Sequence, residues 1–361
     1  MGNLNYQNGN SVCANNDGSY KISVIVPVYN AGIELNNAIE SIINQTFGFE
    51  NIELIFVDDA STDNSCNIIE EYMAVHSNIK LIKLKQNSGL PGGPRSLGIK
   101  YSSAKYLIFL DSDDYYQENA FEILYNTIEK ENSDFVIASH YINLNGDMVK
   151  ANLTSIDEEI MSFNPLKNQK SFDLLSNNHL VAPWGKIFKK KLIIDNDIKF
   201  PDDSLCEDTY FYFKALINSN KVTLLPKSYL YVYNTFENKK TAIHGHDLNK
   251  FDNFLKGMYY TKNMLQGVDL SINVFLDENI SSLLLIFSNL NKIDKKNSII
   301  KIYEFEKDLD IKISRKEIDI LNNLILKKQF GRAIFLSNIF SILYNNKIIK
   351  NFYRKFNNKN I

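Results

Sequence analysis

The sequence predicts an α/β protein whose first part is a parallel β-sheet with helices between its strands. Two observations carry this prediction. Runs of β-branched and aliphatic residues, typical of buried strands, alternate with segments whose apolar residues recur at helical spacing. Polar residues follow several of these runs directly, and the carboxyl ends of parallel strands form the edge at which such sheets bind ligands.

The predicted strands and helices of this part reach to about residue 140. They are the strand ISVIVPV, a helix through Leu35, Ala38, Ile39 and Ile42, the strand IELIFV, a helix through Ile68, Ile69 and Tyr72, the strand IKLIKL, a further helical stretch, and the strands YLIFL and DFVIAS. The apolar runs have the length of strands and are rich in β-branched residues. Because helices connect successive strands, we expect a doubly wound sheet of nucleotide-binding topology.

From about Phe251 onward, leucine, isoleucine, asparagine and lysine recur at helical spacing, which predicts a helical C-terminal region. Near its end, basic residues interleave with the apolar run AIFLSNIFSILY. These are Lys327, Lys328, Arg332, Lys347, Lys350, Arg354, Lys355 and Lys359. A basic amphipathic segment can lie on an anionic membrane. Helix packing and formation of a homo-oligomer are equally compatible with the pattern.

Composition and charge argue against several classes of protein. The formal net charge is −2, whereas nucleic-acid-binding proteins usually carry a strongly basic face. No run reaches the ~20 apolar residues of a membrane span. The first twenty residues are polar, lack the apolar stretch of a secretory signal and are interpreted as a flexible arm. The three cysteines have no close metal-ligand spacing, so we expect a reducing, cytoplasmic location, extending to the inner face of the membrane if the basic segment binds there.

Three carboxylates crowd the end of the strand YLIFL, in the motif FLDSDD. Side chains alternate along an extended strand, so Asp111 and Asp113 would point one way and Asp114 the other. A hard divalent cation, Mn²⁺ or Mg²⁺, would relieve the repulsion between converging carboxylates. The alternative is a solvated turn, because Asp and Ser are ordinary turn residues.

Two further motifs contain polar residues suited to a ligand site. In NSGLPGGPR, Asn87 and Arg95 flank a loop whose glycines permit backbone conformations closed to other residues, although glycine and proline also occur in plain surface turns. In SLCEDTYF, Glu207 and Asp208 stand at the start of a helical run. Carboxylates there can also serve as helix caps, so the motif alone leaves both interpretations open.

Five motifs in order, SVIVPVYN, IFVDDASTDNS, NSGLPGGPRSLGI, FLDSDD and CEDTYF, resemble glycosyltransferase family 2, a family of inverting enzymes with the GT-A fold. The resemblance covers about Lys21 to Lys240 and implies a Rossmann-like nucleotide-binding mixed sheet. The form of the glycine-rich loop is most similar to wall teichoic acid enzymes that put N-acetylglucosamine on polyribitol phosphate. Ser96 departs from the common family pattern, which has asparagine there.

The resemblance implies roles for the residues that would bind a UDP-sugar donor. Asp59 would accept a hydrogen bond from the uracil imide, and Pro27 and the nearby Tyr29 would line the pocket for the base. Asn87 flanks the glycine-rich loop on one side. The Arg95 guanidinium on the other side suits contact with base, ribose or phosphate.

The resemblance also implies where the chemistry takes place. Asp111 would contact the ribose or a metal-bound water, and Asp113 would bind Mn²⁺ or Mg²⁺ between the donor's phosphates. Asp114 is either part of this site or a local cap. Glu207 and Asp208 match the family's ED motif, in which the aspartate removes the acceptor hydroxyl proton.

The acceptor is expected near two further residues. Trp184, the single tryptophan, has an indole face that can stack on a sugar, although a lone tryptophan is more often part of a core. His244 follows the last core strand, where family members close a loop over the donor. Relatives often have arginine in that loop, and this chain offers Lys239 and Lys240 instead.

The sequence therefore predicts a flexible arm over 1–20, a GT-A catalytic domain over 21–245, and a helical region over 246–361 with an acceptor, oligomer or membrane-surface role. The expected reaction is metal-dependent, inverting transfer of one sugar from a UDP-sugar to a hydroxyl of a cell-surface glycan, teichoic acid or glycolipid. Processive relatives carry a QxxRW motif. The segment QFGRA of this chain lacks the tryptophan of that motif, which favours the transfer of single sugars. The alternatives are a catalytically silent sugar-nucleotide-binding or assembly subunit, and a dehydrogenase, for which PVYNAG lacks the required GxGxxG pattern.

Overall fold

The computed structural model describes residues 6–7, 20–176, 180–235 and 248–268, with 290, 294–295, 298, 301 and 304. The chain divides into two compact units, Met1–Lys239 with Met264–Leu270, and Lys240–Asn263 with Ser271–Ile361. Within the described residues, no helix has the length and apolar character needed to cross a bilayer.

Strands and helices largely alternate along the described part of the chain. The strands are β1 Tyr6–Gln7, β2 Ile22–Val28, β3 Ile52–Asp58, β4 Ile79–Leu84, β5 Tyr106–Phe109, β6 Tyr115–Tyr116, β7 Phe135–Leu144, β8 Asp147–Ala151, β9 Met161–Phe163, β10 Lys186–Lys189 and β11 Val222–Thr235. The helices are α1 Leu35–Ile43, α2 Ser65–Met73, α3 Gly92–Tyr101, α4 Ala120–Glu131, α5 Gln169–Leu175, α6 Lys190–Asp195, α7 Glu207–Ile217 and α8 Leu248–Leu265.

One mixed sheet joins the described strands in the order β1-β4-β3-β2-β5-β10-β7-β11-β6, with β8 paired to β7 and β9 to β11. The strands β4, β3, β2 and β5 are parallel to one another, as predicted. β10 pairs antiparallel with both β5 and β7, which leaves β7 parallel to β5. The sequence predicted β5 and β7 but not the strand between them, because β10 comes about fifty residues later in the chain than β7.

The core lies on both faces of the parallel strands. Every residue of β3 is buried, as expected for a strand covered by helices on both sides. On α1, the four apolar residues that predicted the helix are all fully buried. In the second unit, α8 carries buried Phe251, Phe254, Leu255 and Met258 at helical spacing. The prediction of a helical region after the sheet is confirmed for this helix.

β1 extends the sheet at the β4 edge, where Tyr6 pairs with Leu84 and Gln7 with Lys83. The rest of the first nineteen residues lies outside the described part of the chain, so the arm over 1–20 stays a prediction. The same holds for the domain boundary predicted at residue 245.

A buried carboxylate connects neighbouring strands near their amino-terminal ends, away from the predicted ligand site. Glu53 on β3 is fully buried and accepts hydrogen bonds from Ser23 Oγ (2.5 Å), Ser103 N (2.7 Å) and Lys80 Nζ. Burial alone would raise the pKa of Glu53, but these hydrogen bonds outweigh it and hold that pKa below its ordinary value. The ionised carboxylate therefore stabilises the fold.

Glu53→Ala is expected to lower the free energy of unfolding by about 3 kcal/mol at neutral pH, because Lys80 loses its partner and the backbone N–H of Ser103 loses its acceptor. Since the folded-state pKa is lowered, the contribution is present above the ordinary glutamate pKa and is lost as the pH falls through the lowered value. Urea unfolding at neutral and acidic pH measures both effects. The exposed Glu71→Ala is the control, and an equally small change in both variants would contradict the expectation.

Candidate active site

Loops at the carboxyl ends of the parallel strands bring the first predicted donor residues together. In the β2–β3 register, Pro27 lies opposite Val57 and Val28 opposite Asp58. Tyr29 directly follows β2 and is 52% exposed, so its ring is available to a ligand. Pro27 and Tyr29 therefore lie at the edge where the sequence placed them.

Asp59 and the glycine-rich loop are connected by hydrogen bonds. The buried Asp59 carboxylate accepts from Ser88 N at 2.8 Å and from Ser88 Oγ at 2.9 Å. Asn87 Nδ2 donates to the Asp59 carbonyl at 3.1 Å, and Gly89 N donates to Asn87 Oδ1 at 2.7 Å. Burial raises the pKa of Asp59, against the hydrogen bonds from Ser88. These contacts fix the orientation of the carboxylate that was predicted to recognise uracil.

The neighbouring Asp58 has a local structural role. Its carboxylate is buried and accepts from the backbone N–H of Ser61, at 3.2 Å for the shorter of two contacts. In the same loop, Thr62 N donates to Asn30 Oδ1 at 2.8 Å, and Asn30 N donates to Ser61 Oγ at 3.0 Å. These hydrogen bonds therefore connect the loop after β2 to the loop after β3.

The acidic motif after β5 is a turn and not an extended strand. β5 ends at Phe109, and Asp114 N donates to the Asp111 carbonyl at 3.1 Å. The expectation that Asp111 and Asp113 share one face through strand alternation is therefore wrong. Repulsion and the turn propensity of Asp and Ser favour a reversal at this point. Asp111 and Asp113 remain partly exposed, whereas Asp114 is buried.

Asp114 connects the acidic turn to the last strand of the sheet. Its carboxylate accepts from Tyr231 Oη at 2.7 Å and from Asn234 N at 2.8 Å, and Asn234 Nδ2 donates to the Asp113 carbonyl at 2.6 Å. Burial, with the charges of Asp111 and Asp113, raises the pKa of Asp114 to about 8. Of the two interpretations from sequence, the structure favours a local structural role. Tyr231 and Asn234 were not predicted, because they lie more than a hundred residues from the motif.

Arg95 lies between the acidic turn and the ED motif. Its guanidinium donates to Asp111 Oδ1 at 2.7 Å and to Glu207 Oε1 at 3.1 Å, and it packs over the ring of Phe200. Arg95 is 4% exposed, and its Nε has no hydrogen-bond partner. The charges of Asp111 and Glu207 raise its pKa although burial opposes this. The structure thus places two predicted site residues, 96 positions apart in the chain, on one guanidinium.

Gly89 and Gly92 in the glycine-rich loop are required for different reasons. Gly89 has a φ of +80°, a conformation that favours glycine. A Cβ on Gly92, at the start of α3, would lie 2.4 Å from the Pro201 carbonyl oxygen and 2.9 Å from Glu207 Cγ. Glycine at this position therefore lets the loop approach the segment that carries the ED motif.

Glu207 and Asp208 form the first turn of α7. The residue before them, Cys206, has a φ of +65° and makes no side-chain capping bond, so neither carboxylate is the N-cap residue. Asp208 Oδ1 accepts from Thr209 N at 2.7 Å. Burial and the Asp208 charge raise the pKa of Glu207 to about 7, whereas Arg95 lowers it. Burial also raises the pKa of Asp208, and Arg95 opposes that shift.

Trp184 packs against aromatic residues of β11. Its indole stacks on Tyr231 at 4.4 Å between ring centroids with 4° between planes, and on Tyr233 at 5.8 Å and 16°. His140 meets it edge-on at 4.8 Å. Trp184 is partly buried against the core, so the structure supports its packing role and leaves the acceptor role a prediction.

Lys186, two residues after Trp184, was missed by sequence reasoning. It is 2% exposed, the most completely buried lysine of the first unit's described residues, and burial lowers its pKa to about 7. The available signal was a lysine at the start of the apolar run KIF, where an isolated charge is costly.

The partly exposed carboxylates of the acidic turn are suited to holding a divalent cation. In the described part of the chain, no three histidine, cysteine or acidic side chains form a complete metal cluster. Mg²⁺ in phosphate-binding sites typically uses one or two carboxylates and completes its shell with water and phosphate oxygens. The partly exposed Asp113, beside Asp111, is suited to that arrangement.

Several predicted residues lie outside the described part of the chain. They are His244, Lys239 and Lys240, which follow β11 in the sequence, and the basic residues from Lys327 onward. Their predicted roles toward the acceptor, a membrane or a second copy stay predictions.

The sequence and fold match known proteins. The model of the family described as "Glycosyl transferase family 2" matches residues 23–196. The chain is 36% identical over 222 residues to the poly(ribitol-phosphate) beta-N-acetylglucosaminyltransferase TarP of Staphylococcus aureus (strain N315). The matched region covers 60% of this chain and 64% of TarP. It is 30% identical over 219 residues to the glycosyltransferase GlyG of Streptococcus pneumoniae serotype 4, covering 59% of this chain and 70% of GlyG. The chain thus spans less than two thirds of TarP.

A solved structure shares the fold. The crystal structure of residues 1–349 of S. aureus TarS in complex with UDP-GlcNAc superimposes with a TM-score of 0.71 over 89% of this chain and 91% of that chain, at 23% identity. The predicted GT-A fold is thereby confirmed.

Proposed function

The chain belongs to glycosyl transferase family 2, and from this membership we propose that it is a metal-dependent, inverting glycosyltransferase. The proposed reaction moves one sugar from a UDP-sugar to a hydroxyl of a cell-surface glycan, teichoic acid or glycolipid. One observation carries the proposal. Arg95 joins Asp111 of the acidic turn to Glu207 of the ED motif, so the groups expected to bind donor and to activate acceptor meet at one edge of the sheet.

The donor is proposed to bind across the loops after β2, β3 and β5. Asp59, oriented by Ser88, would accept the uracil imide proton, and Pro27 and Tyr29 would flank the base. Asp111 would contact the ribose. The Asp111 carboxylate already accepts a hydrogen bond from Arg95. Arg95 would therefore influence the donor through Asp111, in addition to any direct contact.

Asp208 is proposed as the base that accepts the proton of the acceptor hydroxyl. The hydroxyl oxygen then forms a bond to the anomeric carbon from the side opposite the nucleotide, the bond to the diphosphate breaks, and the configuration inverts. Because burial raises the pKa of Asp208, its carboxylate is a stronger base than an ordinary aspartate. Glu207, held by Arg95, would position the first turn of α7 for this step.

Asp113 is the residue proposed to hold Mn²⁺ or Mg²⁺ together with the donor's phosphates. The bound cation would supply charge neutralisation for the departing diphosphate. The partial exposure of Asp113 and of the neighbouring Asp111 supports this assignment, because it leaves their carboxylate oxygens open to a cation.

The names of the relatives support a surface-glycan acceptor. TarP is named as a poly(ribitol-phosphate) N-acetylglucosaminyltransferase, and the TarS structure is titled as a complex with UDP-GlcNAc. By analogy, N-acetylglucosamine and polyribitol phosphate are the first donor sugar and acceptor to test.

The test is a panel of UDP-sugars with Mn²⁺, with and without polyribitol phosphate and glycolipid acceptors, reading the release of UDP. Acceptor-dependent release with one donor is the expected result. Tight binding of a UDP-sugar without turnover on any acceptor or water would instead favour the silent binding or assembly subunit.

A prediction about the nucleotide follows from Asp59. UDP is expected to bind far better than GDP or CDP, and Asp59→Ala should weaken UDP binding by about 1.5 to 3 kcal/mol through loss of a charge-assisted hydrogen bond. Isothermal calorimetry with the three nucleotides measures this, with the exposed Asp147→Ala as the control. Equal affinity of the wild type for all three would refute the uracil assignment.

A further inference from the structure

Lys186 places an ionisable amino group inside the protein near the helix that carries the ED motif. It begins β10 and is 2% exposed. Its Nζ donates to the Ala182 carbonyl at 2.5 Å and to the Trp184 carbonyl at 3.3 Å. Carbonyl groups alone compensate poorly for a buried ammonium group, since desolvation of a full charge costs several kcal/mol. A countercharge is therefore needed to keep this lysine ionised.

The candidate countercharge is Asp208 at the start of α7. Lys186 Nζ lies 5.6 Å from the ring centroid of Tyr212. Tyr212 is four residues after Asp208, so both side chains lie on the same face of α7. Burial lowers the pKa of Lys186, and the Asp208 charge acts in the opposite direction. The ring contact therefore places the ammonium group near the helix face that carries Asp208.

We propose that Lys186 is a positioning residue for sugar transfer: its ammonium group pairs electrostatically with Asp208 while anchoring the turn that carries Trp184. The inference rests on the proposed function, in which Asp208 is the base. Lys186 would favour the ionised form of that base. Through the carbonyls of Ala182 and Trp184, it would also hold the aromatic cluster at a constant distance from the base.

Other charged groups act on Asp208 and must be separated from Lys186 in any test. Arg95 favours the ionised carboxylate, whereas Glu207 and Asp111 act against it as like charges. These groups remain in place in variants of Lys186. A double-mutant cycle therefore isolates the pair, because the contribution of the other groups is present on both sides of the cycle.

The first test needs no activity. Urea unfolding is measured for wild type, Lys186→Met, Asp208→Asn and the double variant at pH 6, where Lys186 is protonated, and at pH 9, where it is neutral because its pKa is about 7. We expect coupling of about fivefold in the unfolding equilibrium constant at pH 6 that fades at pH 9. Additive effects at both pH values would overturn the proposal. Lys186→Gln, which keeps an N–H donor for the Ala182 carbonyl, replaces Lys186→Met if that variant does not fold.

The second test measures the pH dependence of the reaction, which reports on the ionisation of Asp208. In Lys186→Met, the acidic limb of the pH profile of kcat/KM should move up by about one pH unit, because Asp208 loses a nearby positive charge. Lys191→Met removes an exposed lysine of α6 and should leave the profile unchanged. A purely structural lysine would lower activity at every pH without moving the limb, and that result would overturn the proposal. If wild type shows no turnover at all, the proposed function fails, whereas the unfolding cycle still tests the pairing.

Discussion

Asp208→Asn is expected to lower turnover by ~10²-fold or more while donor binding survives, because the substitution keeps the shape of the side chain and removes its proton acceptor. The amide cannot take the acceptor's proton, whereas Asp113, Asp59 and Arg95 stay in place to bind the UDP-sugar. Calorimetry with UDP-sugar and Mn²⁺, followed by a product assay on the same preparation, measures both properties.

The pH dependence of the wild-type reaction provides a second check on this base. Asp208 must be ionised to act, and burial raises its pKa. Activity should therefore fall with decreasing pH at a higher pH than an ordinary aspartate would give. The control is Asp202→Asn, which removes an exposed carboxylate in the segment that precedes α7 and should retain activity. If Asp208→Asn transfers sugar at the wild-type rate, the base is misassigned.

Asp113→Asn is expected to abolish Mn²⁺-dependent UDP-sugar binding and transfer together. A neutral amide oxygen is a weak ligand for a hard cation, and without the cation the donor diphosphate loses its counter-ion. The loss of binding distinguishes this variant from Asp208→Asn, in which only turnover falls. Titration of UDP-sugar into the variant with Mn²⁺, and into wild type with Mn²⁺ or with a chelator, makes the comparison.

The exposed Asp147→Asn on β8 serves as the control for this substitution, because it removes one carboxylate charge far along the chain from the acidic turn. Its metal-dependent binding should equal that of wild type. Wild-type binding that is the same with Mn²⁺ and with a chelator would remove the metal role from Asp113. The acidic turn would then act on the donor directly or through Arg95.

The two variants together address the arrangement around Arg95. This guanidinium pairs with Asp111, which is proposed to contact the donor, and with Glu207 of the proposed acceptor side. Because Arg95 is buried, the loss of either pairing should be costly. A change in the acidic turn can therefore reach α7 through a single side chain. For this reason donor binding is measured separately from turnover in every variant.

The amino-acid sequence by itself determined the fold class and the positions of the residues that are proposed to bind the donor. Strand periodicity and helical spacing are local properties, and β2, β3, β4, α1 and α2 lie where the patterns predicted them. Parallel strands place their carboxyl ends at one edge, so the residues that follow β2, β3 and β5 come together without any knowledge of packing. The order of motifs likewise sufficed to identify the family.

Only the tertiary structure decided how distant charges are paired. Arg95 contacts Glu207, the Asp114 carboxylate accepts from the backbone N–H of Asn234, and Lys186 contacts the ring of Tyr212 on α7. No local pattern specifies contacts across such separations in sequence. The strand alternation argument also failed at Asp111–Asp114, because the chain turns where β5 ends. Local propensities set the conformation of a segment, whereas the neighbours of a buried charge are set by which strands and helices pack together, and β10 inserts between β5 and β7 from far along the chain.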